Sequence, residues 1–233
     1  MNRIFSFLLA ILLLPACMAC GKVRATPTAT ELTAQDFLAS LTFLGDSTTA
    51  HMTARANVKP NQVWAAKNRY LNLDSRITYA KIVAPDTSEE LTIAQAAAHL
   101  RPPFLVITLG VDYGVYYYRN DLDTFRFYYE KLLDAIQAAS PDTVLILQSI
   151  FPVTAASTAI TNEMIDNANL VIRAIAADRG LVFVDANRVL KDTNGYLAAA
   201  YCNSADGIHL SEAAYAKILE NLAEYRSAIC EET

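Results

Sequence analysis

Two short segments, far apart in the chain, carry residue types that could together attack a carbonyl. The first is LGDSTTAHM, residues 44–52, in which Ser47 follows an apolar run and opens a helical pattern. A serine there meets unpaired backbone N–H groups and the positive end of a helix dipole, both of which favour developing negative charge. The position suits an ordinary helix-capping serine as well. The second segment is DGIHLSEAAY, residues 206–215, where Asp206 and His209 are three apart and Gly207 permits a tight turn. An imidazole can take the proton of a serine hydroxyl, and a carboxylate can hold its tautomer and stabilise the imidazolium that forms. Of three histidines, His209 sits in a polar loop beyond the last strand pattern, whereas His51 and His99 fall in helical patterns suited to structural or exposed side chains. His51, four residues after Ser47, stays a second candidate for the base. No Gly-x-Ser-x-Gly elbow occurs, which weighs against an α/β-hydrolase arrangement.

Loops can converge in this way when they leave the same edge of a sheet. Four apolar segments read as buried parallel strands: LTFLG (41–45), FLVITLG (104–110), TVLILQS (143–149) and LVFVDA (181–186). A further strand is expected at 63–66 or at 77–83. Helical patterns cover 92–100, 121–139 with Phe125, Tyr128, Leu132, Leu133 and Ile136 on one face, 161–179 ending at Gly180, and 211–228 capped by Ser211. Strands apolar on both faces and alternating with helices predict an α/β fold, a three-layer α/β/α sandwich with a mostly parallel five-stranded sheet of the flavodoxin-like kind. Ligands of such sheets bind at the carboxyl ends of the strands. There the strand of VITLGVDYG (106–114) empties into a glycine-flanked carboxylate, Asp112, followed by Tyr113, Tyr116, Tyr117 and Tyr118. Tyrosine faces suit carbohydrate rings and their hydroxyls can donate hydrogen bonds, although loop packing would use them equally well.

At 233 residues, 53% hydrophobic and 18% charged, the chain has the size and composition of one globular domain behind a leader. A formal net charge of −5 supplies no basic face, so nucleic acid is not an expected partner. Arg3 precedes an apolar run from Phe5 to Leu14 that is too short to span a bilayer. Leu14, Ala16 and Cys17 resemble a bacterial lipobox, which would make Cys17 the lipidated N-terminus; an ordinary cleaved signal peptide is the alternative. The expected organisation is a signal peptide over 1–16, a Thr- and Ala-rich tether over 17–36 and the domain over 37–233, anchored outside the cell membrane. Cys202 and Cys230 flank the last helical pattern, whose ends lie roughly 27 Å apart at about 1.5 Å per residue. Bridged Cα atoms need about 7 Å, so no disulfide between them is expected. No His, Cys and carboxylate cluster has ligand spacing, and no metal or other cofactor is expected.

Taken together, GDS at 45–47, the glycine-centred loop after the middle strand, and DGIHL at 206–210 resemble the SGNH, or GDSL-type, hydrolases, bacterial lipoprotein members in particular. The likeness extends over about 38–229. It implies that Ser47 is the nucleophile and lends its N–H to the oxyanion hole. His209 would be general base and then acid, oriented by Asp206, while Asp46 shapes the first loop. In that family a glycine N–H from a second block and an asparagine side chain from a third complete the hole. No glycine occurs between Gly45 and Gly110, so another N–H must serve, and Asn68 in AAKNRYL is the candidate. The third block usually reads Gly-x-Asn; here it is Gly110-Val111-Asp112.

An ionised Asp112 cannot donate a hydrogen bond, and losing one oxyanion donor typically costs about 10²–10³ in rate. A protonated Asp112 could donate, provided that His209 is still neutral at the same pH. Two expectations follow. One is a serine esterase removing O-acyl groups, O-acetyl foremost, from an envelope glycan, with Tyr113 and Tyr116 as substrate contacts. The other is a catalytically impaired, glycan-binding lipoprotein. The expected partners are a small-molecule or glycan ester and the membrane that holds the lipid anchor, and the chain is expected to be a monomer.

Overall fold

The computed structural model describes residues 32–111 and 113–231. The expected signal peptide, Cys17, most of the tether and Asp112 lie outside the described residues. The domain opens with helix α1 (Ala34–Ser40), whose N-terminus is capped by the Thr33 hydroxyl and whose Phe37 is buried. Residues 34–36, assigned above to the tether, belong to this helix. The strands in chain order are β1 (Leu41–Gly45), β2 (Val63–Trp64), β3 (Lys81–Val83), β4 (Glu90–Thr92), β5 (Phe104–Thr108), β6 (Val144–Gln148) and β7 (Val182–Val184). Five form one sheet in the order β2-β1-β5-β6-β7, every neighbour parallel. This is the expected α/β architecture.

The fifth strand is the earlier of the two candidates. Val63 and Trp64 pair with Phe43 and Leu44, and Trp64 is buried. The other candidate divides: Ile77–Tyr79 is a 3-10 turn, and Lys81–Val83 pairs antiparallel with β4 in a separate hairpin. The Val83 N–H donates to the Ala65 carbonyl at 3.1 Å, which docks that hairpin beside the end of β2.

The remaining helices are α2 (Ser47–Ala50), α3 (Met52–Arg55), α4 (Ile93–Leu100), α5 (Leu122–Ala139), α6 (Asn162–Arg179), α7 (Ala186–Leu190), α8 (Glu212–Glu224) and α9 (Arg226–Glu231). Alternation along the strands sends side chains to two cores. Leu44, Leu105, Ile107, Leu145 and Leu147 pack with α4, α5 and α6. Leu41, Phe43, Phe104, Val106 and Ile146 pack with α1, α3, α7, α8 and α9. On α5 the fully buried tyrosine is Tyr129, whereas Tyr128 is only half-buried at the edge of that core. The last helical pattern breaks at Tyr225 instead of running on to 228, and α9 turns to bury Ile229 and Cys230. Cys202 and Cys230 are not joined to each other.

The end of β1 admits no side chain. Gly45 lies in register with Thr108 of β5. A Cβ there would collide with the Thr49 hydroxyl and the Thr108 carbonyl oxygen. Glycine therefore lets α2 start flush against the neighbouring strand. Gly45→Ala is expected to lower unfolding free energy by about 2 kcal/mol through overpacking, read as a lower urea midpoint at unchanged slope.

Candidate active site

The chain runs from β1 outward to β2 and later returns to β5 on the other side of β1. The loops leaving β1 and β5 therefore diverge at the carboxyl edge, where open α/β sheets bind ligands. Asp46 occupies that divergence and is 1% exposed. One carboxyl oxygen accepts the Thr48 N–H at 3.2 Å and the Thr48 hydroxyl at 2.9 Å, and the other accepts the Val111 N–H at 3.3 Å. Asp46 is thus the cap of α2, and Ser47 is its first helical residue. The ordinary alternative for Ser47, a capping serine, gives way because its neighbour already caps the helix. The Thr48 carbonyl accepts the hydroxyl of Tyr215 at 2.6 Å, which fastens this turn to α8.

The second segment forms a compact loop just before α8. His209 Nδ1 and Asp206 Oδ2 are 2.9 Å apart. A carboxylate only accepts, so this contact assigns the proton to Nδ1 and leaves Nε2 to act as base. The other Asp206 oxygen accepts the Ser204 hydroxyl, the Ile208 N–H at 2.8 Å and the His209 N–H at 3.3 Å. Burial by itself would raise the carboxyl pKa. The Ser204 hydroxyl, the Ile208 N–H and the two His209 contacts override it and hold Asp206 well below the usual carboxylate range. The loop is pinned at its base by the Asn203 N–H on the His209 carbonyl at 2.8 Å, and at its tip by the Thr154 N–H on the Gly207 carbonyl at 2.9 Å. Gly207 has φ +76°, and a Cβ there would strike the Thr154 hydroxyl.

Sequence reasoning missed Ser204. Its hydroxyl bonds Asp206 and also accepts the His209 N–H at 3.2 Å. The available signal was a hydroxyl two residues before the aspartate.

The two segments meet. A small internal cavity is lined by Asp46, Thr48, Val111 and Ile150 together with Ile208 from the histidine loop. The rings of His51 and His209 are 5.0 Å apart between centroids and inclined at 58°. His51 is the cap residue closing α2, and its N–H donates to the Ser47 carbonyl at 3.1 Å. Burial first, then the charges of Arg55, His209 and Arg69, lower its pKa to about 4. His209 has a carboxylate partner; among the described hydrogen bonds and ion pairs His51 has none, so His209 is the better-supported base. His99 is instead paired with Asp86 at 2.7 Å on an exposed part of α4.

Asn68 lies in the turn after β2, where its side-chain oxygen accepts the Tyr70 N–H at 3.1 Å. It lines an open cleft of about 630 Å³ with Lys67, Tyr70, Asp74, Tyr79 and Lys81; Ser47 and His209 are not among the lining residues. Past β5, the Tyr113 carbonyl accepts the Leu73 N–H at 3.0 Å, and its ring stacks on Tyr117 at 3.8 Å. Tyr116 is exposed, with the Arg119 guanidinium 4.5 Å from its ring centroid. The tyrosine segment is thus tied to Leu73, a buried residue whose chain neighbours Asn72 and Asp74 line the cleft. Asp112, the third-block position, lies outside the described residues.

A family model described as GDSL-like lipase/acylhydrolase matches residues 43–217, which contain both segments. The chain belongs to this family. The fold agrees with solved structures. A GDSL-like lipase from Bacteroides thetaiotaomicron VPI-5482 superposes with TM-score 0.55 at 16% identity, covering 88% of this chain and 95% of that one. A protein from Bacteroides fragilis NCTC 9343 described as an acylhydrolase gives TM-score 0.56 at 16% identity, covering 82% and 87%. A carbohydrate esterase family 3 structure from Talaromyces cellulolyticus gives 0.53 at 17% identity, covering 83% and 98%. Comparison with curated proteins returned no significant match.

The candidate site carries a pH signature. Between about pH 6.5, where an unfolded histidine titrates, and about pH 4, where folded His51 does, His51 binds a proton only in the unfolded chain. Its contribution to stability is therefore present above pH 6.5 and is lost as pH falls through that interval. Urea midpoints measured from pH 7 to pH 4 are expected to fall, and His51→Phe is expected to flatten part of the decline.

Proposed function

We propose that this protein is a serine esterase that removes O-acyl groups, O-acetyl foremost, from a cell-envelope glycan. The observation that carries the reading is the ionised Asp206 holding His209, with the His209 loop packed against the Asp46–Thr48 turn. In this mechanism His209 Nε2 takes the Ser47 hydroxyl proton as Ser47 Oγ bonds to the ester carbonyl carbon. In this reading the Ser47 N–H donates to the developing oxyanion. Collapse of the tetrahedral species breaks the carbon–oxygen bond to the sugar, whose oxygen receives the proton from His209. A water that His209 deprotonates then bonds to the acyl carbon, the bond to Ser47 Oγ breaks, and Oγ takes the proton back from His209 as the carboxylic acid leaves. No metal enters any step.

The glycan substrate is supported by the cleft beside the tyrosine segment. Its volume is within the range of small-molecule sites. Tyr70 and Tyr79 on its walls are 63% and 76% exposed, and a tyrosine left open to water presents an apolar face with a polar tip suited to a sugar ring. The Leu-Pro-Ala-Cys run ending at Cys17 supports a lipid anchor, which would hold the esterase on the outer side of the membrane next to envelope polymers.

One feature favours a second reading, a glycan-binding protein with impaired catalysis: Asp112 stands where the family has asparagine. Hydrolysis of 4-nitrophenyl acetate and labelling of Ser47 by a serine-directed phosphonate separate the two. Wild-type protein is expected to do both, and Ser47→Ala to lose at least about 10³-fold in rate. Asp112→Asn is expected to gain about tenfold or more by supplying a donor in place of a carboxylate. Absence of both hydrolysis and labelling in the wild-type protein would favour the binding module.

A further inference from the structure

We propose that His51 is a positioning residue for His209: an uncharged ring against which the His209 imidazolium forms. The proposal rests on the esterase reading and adds to it a residue outside the Ser47, His209 and Asp206 set. Three observations place His51 in this role. Its N–H bond to the Ser47 carbonyl and its place in the same short turn set its ring by the segment that sets the nucleophile. The ring centroid lies 5.0 Å from that of His209 with the planes inclined at 58°, a distance at which two rings are in contact. Its Nδ1 is buried with no hydrogen-bond partner, a state that a protonated ring, with two donors to satisfy, would make costlier.

The surrounding charges point the same way. Arg55 on α3 and Arg69 in the turn after β2 both act against a proton on His51, as would a charged His209. Arg55 is held in place, because its guanidinium donates to the carbonyl of Leu210, next to His209, at 2.9 Å. Tyr215 on α8 is kept protonated, chiefly by burial, and brings no charge. On the other side of the pair Asp206, on the loop of His209 itself, is among the described residues the one carboxylate hydrogen-bonded to either ring. Two imidazoles this close resist double protonation. Their environments differ so that the proton leaving Ser47 goes to His209 and later to the departing oxygen, while His51 takes up none.

Three variants test this, each checked for folding by circular dichroism. His51→Phe keeps an aromatic ring and removes the nitrogens; His51→Ala removes the ring. With 4-nitrophenyl acetate, His51→Ala is expected to lower kcat about 5- to 10-fold with KM within about 2-fold, and His51→Phe to return kcat to within about 2-fold of wild type. In parallel, NMR titration of the His51 ring in wild type is expected to show the neutral form down to about pH 5. In His209→Ala its midpoint is expected to rise by about half a unit or more, because the neighbouring charge is gone.

Wild-type kcat in His51→Ala, or a His51→Phe variant as slow as His51→Ala, overturns the positioning role. A His51 that titrates near pH 6.5 in the wild-type protein, or whose midpoint His209→Ala leaves unmoved, overturns the coupled pair whether or not esters are cleaved. Failure of the wild-type protein to cleave esters or to label at Ser47 is the distinct result that removes the esterase reading, and with it the role.

Discussion

A carboxyl group that is 1% exposed has to find hydrogen bonds inside the protein, because burying it without them would cost several kcal/mol. Asp46 finds them on both sides of the gap between the two central strands. One oxygen caps α2 through Thr48, and the other takes the Val111 N–H from the loop after β5. The first loop cannot move away from the loop after β5 without breaking the bond from the Val111 N–H. The direction of α2, the place of Ser47 at its first residue and the turn that ends at His51 all follow from that anchor. Through Thr48 the constraint reaches Tyr215, and so the helix that begins directly after the histidine loop.

The histidine loop is held by different means. It packs on no strand of its own, and hydrogen bonds internal to residues 203–209 give it shape, with Ser204 and Asp206 at the centre. Thr154, in the loop after β6, grips its tip through Gly207. Three strand ends therefore contribute: β1 directly, β5 through Val111, and β6 through Thr154. The parallel sheet aligns these ends by register, since Gly45 pairs with Thr108 and Ile107 with Leu147. A loop secured by its own polar contacts can hold a base in place while leaving its ring within reach of a substrate.

Much of the fold was legible in the residue order. Continuous apolar runs marked β1, β5, β6 and β7 to within two residues at either end, because a strand covered on both faces has little freedom of composition. The fifth strand was ambiguous because Val63–Trp64 is two residues long, too short for any period to register. The break at Tyr225 was hidden because neither glycine nor proline marks it; it is the burial of Ile229 and Cys230 that turns the chain there. On α5 the spacing selected Tyr128, and packing buried Tyr129 instead, while Phe125, Leu132, Leu133 and Ile136 lie on the buried face as expected.

For the site, residue types and spacing singled out Ser47, Asp206 and His209 as candidates, since acyl-transfer chemistry tolerates few substitutes for a hydroxyl, an imidazole and a carboxylate. The family resemblance also marked Asp112 as a departure from Gly-x-Asn, and the chemistry of a carboxylate says why it matters. Only the tertiary structure made Asp46 the cap, brought Ser204 to Asp206 and stood His51 beside His209. Those are consequences of which loops share an edge and how deeply each side chain is covered. A linear pattern reports what a residue can do. Its burial and its neighbours, which come from segments remote in the chain, decide which proton it holds and which group it serves.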